Sequence, residues 1–183
     1  MDVELAAAAV DEAFVLEFAE RWEAAWNSHQ ADRLLELMTE DVVYDDSAWP
    51  TTMRGHADVR EFVESAWRAM PDLEFRMAEG PFLDPRAPRA AFYWTGSGTF
   101  TGPLEPPGFA PTGQRIEFDG FDLQEYRDGR VCRLRITFDM MDVSRQIGLA
   151  PKQGSSLEKA GAAVQRLGVQ AKGLLDRSRE REG

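Results

Sequence analysis

The stretch from Gln114 to Asp139, QRIEFDGFDLQEYRDGRVCRLRITFD, constrains the fold most tightly. Asp128-Gly129 is a two-residue turn signal between two β-rich runs, so the segment reads as a hairpin. With those two residues as the turn, paired positions sum to 257. Gln124 then faces Arg133, Asp122 faces Arg135 and Phe118 faces Asp139. Side chains alternate between the faces of a strand. One face therefore carries Phe118, Asp122, Gln124, Tyr126, Val131, Arg133, Arg135, Thr137 and Asp139. The other carries Phe121, Leu123, Cys132, Leu134, Ile136 and Phe138. Periodicity alone reads this as a solvated charged face over an apolar core.

The rest of the chain supplies helices first and strands later. Phe14, Val15, Phe18, Trp22, Ala25 and Trp26 recur at helical spacing over Asp11–Asn27. A short helix is predicted over Ala31–Met38 and a strand over Asp41–Trp49, with Val42, Tyr44 and Asp46 on one face. A third helix follows over Ala57–Met70 and stops at Pro71. Strands are predicted over Asp72–Gly80 and Arg89–Thr101, then a proline-rich loop over Gly102–Gly113, then the hairpin. Ser155-Ser-Leu-Glu158 fits a capping box and opens an appended helix. On it Leu157, Gly161, Val164, Gly168, Ala171 and Leu175 form a stripe, and two glycines on one face imply close packing against something. The order α-α-β-α-β-β-β-β predicts an α+β domain: a curved antiparallel sheet wrapped around three helices, enclosing a conical pocket. The expected divisions are a flexible N-terminus (1–10), the domain (11–151) and a helical appendage (152–183) with a disordered end after Asp176.

Bulk properties narrow the partners. A net charge of −11 argues against a nucleic-acid or anionic-membrane surface, both of which need basic patches. The acidic start MDVELAAAAVDEAF lacks a signal-peptide pattern, and there is no run of 18 apolar residues, so a cytoplasmic protein is expected. Cys132 is alone, which leaves no intrachain disulfide and no thiolate cluster. His29 and His56 both fall in turns and read as surface residues, so no metal is expected.

Four segments in order carry a resemblance. They are Trp26-Asn27 with Thr39–Asp46, Gly55 through Met70-Pro-Asp-Leu73, Trp94–Gly102 with Ala110-Pro-Thr-Gly113, and Asp128-Gly-Arg-Val131 with Asp139 and Gln146-Ile-Gly-Leu149. Together, over about 14–151, they resemble the SnoaL-like polyketide cyclase and ester cyclase group of the NTF2-like (cystatin-like fold) superfamily. That superfamily also holds ketosteroid isomerase and limonene epoxide hydrolase. The resemblance implies a cone-shaped pocket and acid–base chemistry without metal or other cofactor. It gives Asp139 the position of the cyclases' acid/base. Asp46 takes the position of the isomerase's proton-shuttling aspartate, and Asp122 that of its protonated oxyanion donor. The isomerase's tyrosine on the first helix falls near Trp22, which speaks against steroid isomerase chemistry.

Enolisation beside a carbonyl needs a base near neutrality and a donor to the oxyanion, and burial tunes carboxyl groups for both. The expected lining is aromatic: Phe18, Trp22, Tyr44, Phe62, Trp67, Trp94, Phe118 and Tyr126. Arg135 reads either as a salt-bridge partner that keeps Asp122 ionised or as an anchor for a substrate carboxylate. Asp139 reads either as an acid/base or as a helix N-cap. The resemblance turns the Asp122 face inward, which puts Phe121, Leu123, Leu134, Ile136 and Phe138 on the outer face. A second subunit, and so a homodimer, or the C-terminal helix would cover them. The functional expectation is a cyclase or isomerase acting on a carbonyl-containing polyketide-type or polycyclic molecule. Beside it stand a non-catalytic binder of hydrophobic ligands or dimerisation module, and a limonene-type hydrolase using Asp122, Arg135 and Asp139 or Asp46.

Overall fold

A computed structural model describes residues 10–182, so nearly all of the expected flexible segment 1–10 lies outside the described residues. Helix α1 (Glu12–Asn27) begins at Asp11, whose carboxyl accepts from the Ala13 amide at 3.3 Å, and buries Val15, Phe18, Ala19, Trp22, Ala25 and Trp26. Helix α2 (Ala31–Leu35) stops short of Met38, which instead opens strand β1 (Met38–Asp46) opposite Val131. Strand β2 (Met53–Arg54) is followed at once by α3 (Gly55–Ala69), which ends before Pro71 as its sequence predicts. Gly55 makes that corner with φ +74, and a β-carbon there would sit 3.1 Å from the Glu40 carbonyl. Strands β3 (Glu74–Leu83), β4 (Arg89–Thr99), β5 (Arg115–Arg127) and β6 (Arg130–Phe138) complete a six-stranded sheet of order β2-β1-β6-β5-β4-β3. The sheet is mixed rather than wholly antiparallel, because β1 and β6 run parallel. The long intervening chain provides the crossover that a parallel pair requires.

The hairpin departs from the sequence expectation by one residue. Asp128 and Gly129 both have positive φ (52° and 74°), and Arg127↔Arg130 and Tyr126↔Val131 keep the predicted sum of 257. From Glu125↔Arg133 onward the sum is 258. Cys132 is the extra residue, a β-bulge, and a one-residue slip sends every later side chain to the opposite face. Asp122 consequently pairs with Ile136 and not with Arg135. Leu134 and Ile136 are buried, Phe138 packs against the core, and Arg133 and Arg135 point outward. Burying a large aliphatic or aromatic side chain stabilises by about 2 kcal/mol, so three of them outweigh the irregular pairing of one bulge. Of the five side chains expected on the outer face, Phe121 and Leu123 are there, 50% and 41% exposed.

Helix α4 (Met140–Gln146) follows β6 directly, and α5 (Ser156–Glu182) projects beyond it. Half of the capping box forms: Glu158 N donates to Ser155 Oγ, while the Glu158 carboxylate reaches one residue past the cap and accepts from Gly154 N at 2.6 Å. The helix runs through Glu182, where the sequence reading places disorder after Asp176. A β-carbon added at Gly161 or Gly168 would meet nothing outside its own helix within 4 Å, so the close packing read from them is not made within the described residues.

Candidate active site

At its narrow end the cone is filled by its own aromatic side chains. Phe18 lies 5.1 Å from the Tyr126 ring and 6.0 Å from Trp22, all three buried. At the wide end the filling stops and leaves a cavity of about 760 Å³. Its floor is the concave sheet face, where Trp94, Phe118 and Phe138 meet at centroid distances of 5.7–5.8 Å. Phe118 lies over Gly96, whose missing side chain makes room: a β-carbon there would stand 2.9 Å from the ring. A wall comes from Tyr44 and Trp49, each edge-on to Phe62 of α3. Two lips close the mouth. One is the proline loop, where Leu104, Pro106 and Phe109 face the cavity and Ser65 Oγ holds the Glu105 carbonyl. The other is α4 with its C-cap, through Met140, Met141, Val143 and Ile147.

Asp46 is the carboxylate set in the cavity's inner wall. It ends β1 on the same face as Val42 and Tyr44, and its Oδ1 accepts from the Ala48 amide at 2.8 Å. The Tyr44 hydroxyl lies 3.5 Å from its Oδ2. Desolvation raises the Asp46 carboxyl to about 6 against the hydrogen bonds that favour its charge. Asp122 is 1% exposed and lies behind the lining. Gln124 Nε2 donates to its Oδ2 at 2.9 Å, and Oδ1 has no partner among the described residues. Burial pushes this carboxyl up to about 7. The Tyr44 phenol is pushed well up by its own burial and then by the charges of Asp46 and Asp122, which places it in the field of both.

The structure thus gathers some of the predicted residues and separates others. Asp46, Tyr44, Trp94, Phe118 and Phe62 line the cavity. Trp22, Phe18, Tyr126 and Asp122 belong to the packed core beneath it. Trp67 packs at the base of α3 against Trp26 and His29. Asp139 is exposed and caps α4, accepting from Met141 N at 2.9 Å and Asp142 N at 3.0 Å. Arg135 stands on the outer face with its guanidinium 3.8 Å from Asp45, so the Asp122–Arg135 ion pair does not exist. For the same reason the Asp-Arg-Asp set of a hydrolase is not assembled. Sequence reasoning missed Trp26, Trp49, Phe75 and Phe138 and both lips. Phe138 was hidden by the bulge; the proline loop was visible, but not that it folds back over the cone.

Charge in the cavity is one-sided. Asp46, Glu74 and Glu105 line it, and among the described residues no Lys, Arg or His does. Among the described residues no three His, Cys, Asp or Glu side chains gather as a metal site, and no helix is long and apolar enough to cross a membrane.

Comparison with known proteins places this geometry. Solved structures share the fold over nearly their whole length. AclR of Streptomyces galilaeus, a candidate hydroxylase, is 22% identical with TM-score 0.63, over 88% of this chain and 98% of its own. A candidate SnoaL-like polyketide cyclase from Jannaschia sp. CCS1 is 20% identical with TM-score 0.65, over 82% and 99%. IdmH of Streptomyces antibioticus, a candidate polyketide cyclase, is 21% identical with TM-score 0.59, over 73% and 97%. At these identities the likeness speaks for the fold alone. Proteins of curated function give no significant match. The sequence profile described as SnoaL-like polyketide cyclase matches residues 16–147, from α1 through α4. On that match the chain belongs to the SnoaL-like polyketide cyclase family.

Proposed function

We propose that the chain is a cofactor-free cyclase or isomerase that enolises a carbonyl-containing polycyclic or polyketide-type molecule, with Asp46 as the base. One observation carries this reading: a carboxyl group raised to about 6 sits in the wall of an aromatic cavity large enough for a several-ring ligand. A base near neutrality combines sufficient proton affinity with sufficient ionisation. In an aldol closure, Asp46 takes a proton from the carbon beside one carbonyl. The carbon–hydrogen electron pair becomes an enolate, and the enolate carbon bonds to a second carbonyl of the same molecule. The new alkoxide then recovers the proton from Asp46, so atoms and charge balance within one substrate. The Tyr44 hydroxyl is the adjacent donor for the developing oxyanion.

Under this reading the roles expected from the sequence are redistributed. Asp122 is a buried proton-holding group behind Tyr44, and Asp139 works through α4, whose side chains form a lip. Three carboxylates and no cation on the lining favour an uncharged substrate over a free acid. Residues 11–151 are the working unit, and the exposed Phe121 and Leu123 are the surface on which a homodimer would form. The competing reading, a binder without turnover, draws on the sealing of Asp122 from the cavity. Quenching of tryptophan fluorescence by uncharged polycyclic aromatic ketones separates the two, since Trp26, Trp49 and Trp94 line the cavity. The enzyme reading expects binding to both wild type and Asp46→Asn with product formed by wild type alone. Binding without product by wild type supports the binder, and no binding by any member of the panel removes both.

A further inference from the structure

The inner face of β5 carries three polar side chains in succession, at 1%, 0% and 4% exposure: Asp122, Gln124 and Tyr126. Residues two apart share a face of a strand, which brings the three into line. The Tyr126 hydroxyl donates to Gln124 Oε1 at 2.7 Å, and Gln124 Nε2 donates to Asp122 Oδ2 at 2.9 Å. The orientation of each group depends on the next. An amide that turns its oxygen to a hydroxyl donor must turn its NH₂ the other way. Tyr126 in turn is held by edge-on packing against Phe14 and Phe18 at 5.4 and 5.1 Å, so its hydroxyl cannot swing away. The chain ends at a carboxyl group with one oxygen engaged as an acceptor and the other, Oδ1, without a partner. Gln124 offers nothing to Oδ1, and a full negative charge left there would be far more costly than a neutral hydroxyl.

We propose that Gln124 and Tyr126 are positioning residues that fix the Asp122 carboxyl group, holding Oδ2 as an acceptor and confining its proton to Oδ1. The geometry stands on the hydrogen bonds alone; its use rests on the acid–base reading of the cavity. Held this way, Asp122 is still neutral between about pH 6 and 7, where Asp46 is already ionised, and Tyr44 then faces one negative charge instead of two. The other neighbours of Asp122 across the sheet are Phe92 of β4 and Ile136 of β6, neither titratable, and the Phe92 backbone amide, like Gln124, favours the charged form against burial. The ionisable groups acting at this end of the cone are therefore Tyr44 and Asp46 of β1 and Tyr126 of β5.

Infrared difference spectroscopy on the full chain tests this directly. The protonated-carboxyl band of Asp122 is assigned by its loss in Asp122→Asn. In wild type it fades with a midpoint near 7. Gln124→Met keeps the volume but removes the donor to Oδ2, and moves the midpoint up by about one unit. Tyr126→Phe frees the amide to turn its oxygen toward the acid, and moves the midpoint the same way by less. It is the milder variant and carries the test if Gln124→Met does not fold. An unmoved midpoint in a folded variant, or no Asp122-dependent band in wild type at pH 5, overturns the proposal. Neither result touches the catalytic reading, which fails separately if ligands bind without turnover.

Discussion

Replacing Asp122 by asparagine changes how the stability of the protein depends on pH. In the fold this carboxyl titrates at about 7, against 3.8 in a solvated chain. The folded state therefore binds an extra proton between those values, and stability falls as pH rises through that window. The sign is the reverse of a salt-bridged aspartate: nothing is lost below about pH 4, and the whole penalty is in place above about pH 7. The shift of about 3 units corresponds to about 4 kcal/mol at about 1.4 kcal/mol per unit. Side-chain exposure of 1% leaves little solvent screening to reduce it. Asparagine keeps the shape and an oxygen for Gln124 but does not titrate. Urea unfolding of wild type and Asp122→Asn at half-unit steps from pH 4 to pH 8.5 reads the difference. The variant should gain on wild type by up to about 4 kcal/mol across the series and level off above pH 7.5. A stability difference that stays constant with pH would show that Asp122 titrates as an ordinary surface carboxyl, and the buried-acid argument would be wrong.

Three further outcomes follow from other parts of the structure. Deleting Cys132 removes the bulge but leaves the pairing intact, with Glu125 opposite Arg133 and Leu134, Ile136 and Phe138 still inward, so the protein stays folded by circular dichroism. Inserting one alanine between Arg133 and Leu134 instead turns those three outward, a loss of about 6 kcal/mol that leaves little or no folded protein, whereas Cys132→Ala changes stability by less than about 1 kcal/mol. Asp139→Ala removes the cap of α4, lowers stability by about 1 kcal/mol in urea unfolding and raises KM through a loosened lip, with kcat nearly unchanged. In a matched pair of ligands, a methyl ester binds at least about tenfold more tightly than its free acid at pH 8 by fluorescence titration, because the acid brings a charge toward Asp46, Glu74 and Glu105.

Much of the architecture could be read from the residues, because it rests on local patterns. The apolar stripe of α1, the stop at Pro71, the Asp128-Gly129 turn and the Ser155 cap of α5 each act within a few residues, and each is found where the chain spells it. The site was legible in part. Asp46 and Tyr44 share a face with Val42 by plain alternation along β1. What failed was register across the hairpin. Counting from the turn is exact until one residue is inserted, after which every conclusion inverts. A warning was nonetheless present. The bulge-free pairing put two arginines inside the cone and left six apolar side chains outside, an arrangement that burial energies disfavour strongly. The parallel pairing of β1 with β6 left no such trace, since strands so distant in sequence share no local signal. Nor could α4 be recognised as a lip, because its place over the cavity depends on where the cone ends.

Proton exchange distinguishes Asp46 from Asp139 as the base of an enolising cavity. An uncharged polycyclic ketone is incubated in deuterated buffer, and loss of its α-proton signal is followed by NMR with wild type, Asp46→Asn and Asp139→Asn. With Asp46 as the base, wild type accelerates exchange with an inflection near pH 6, Asp139→Asn retains most of that rate, and Asp46→Asn falls to the uncatalysed rate while still binding the ketone. Exchange that survives in Asp46→Asn and vanishes in Asp139→Asn would contradict that assignment.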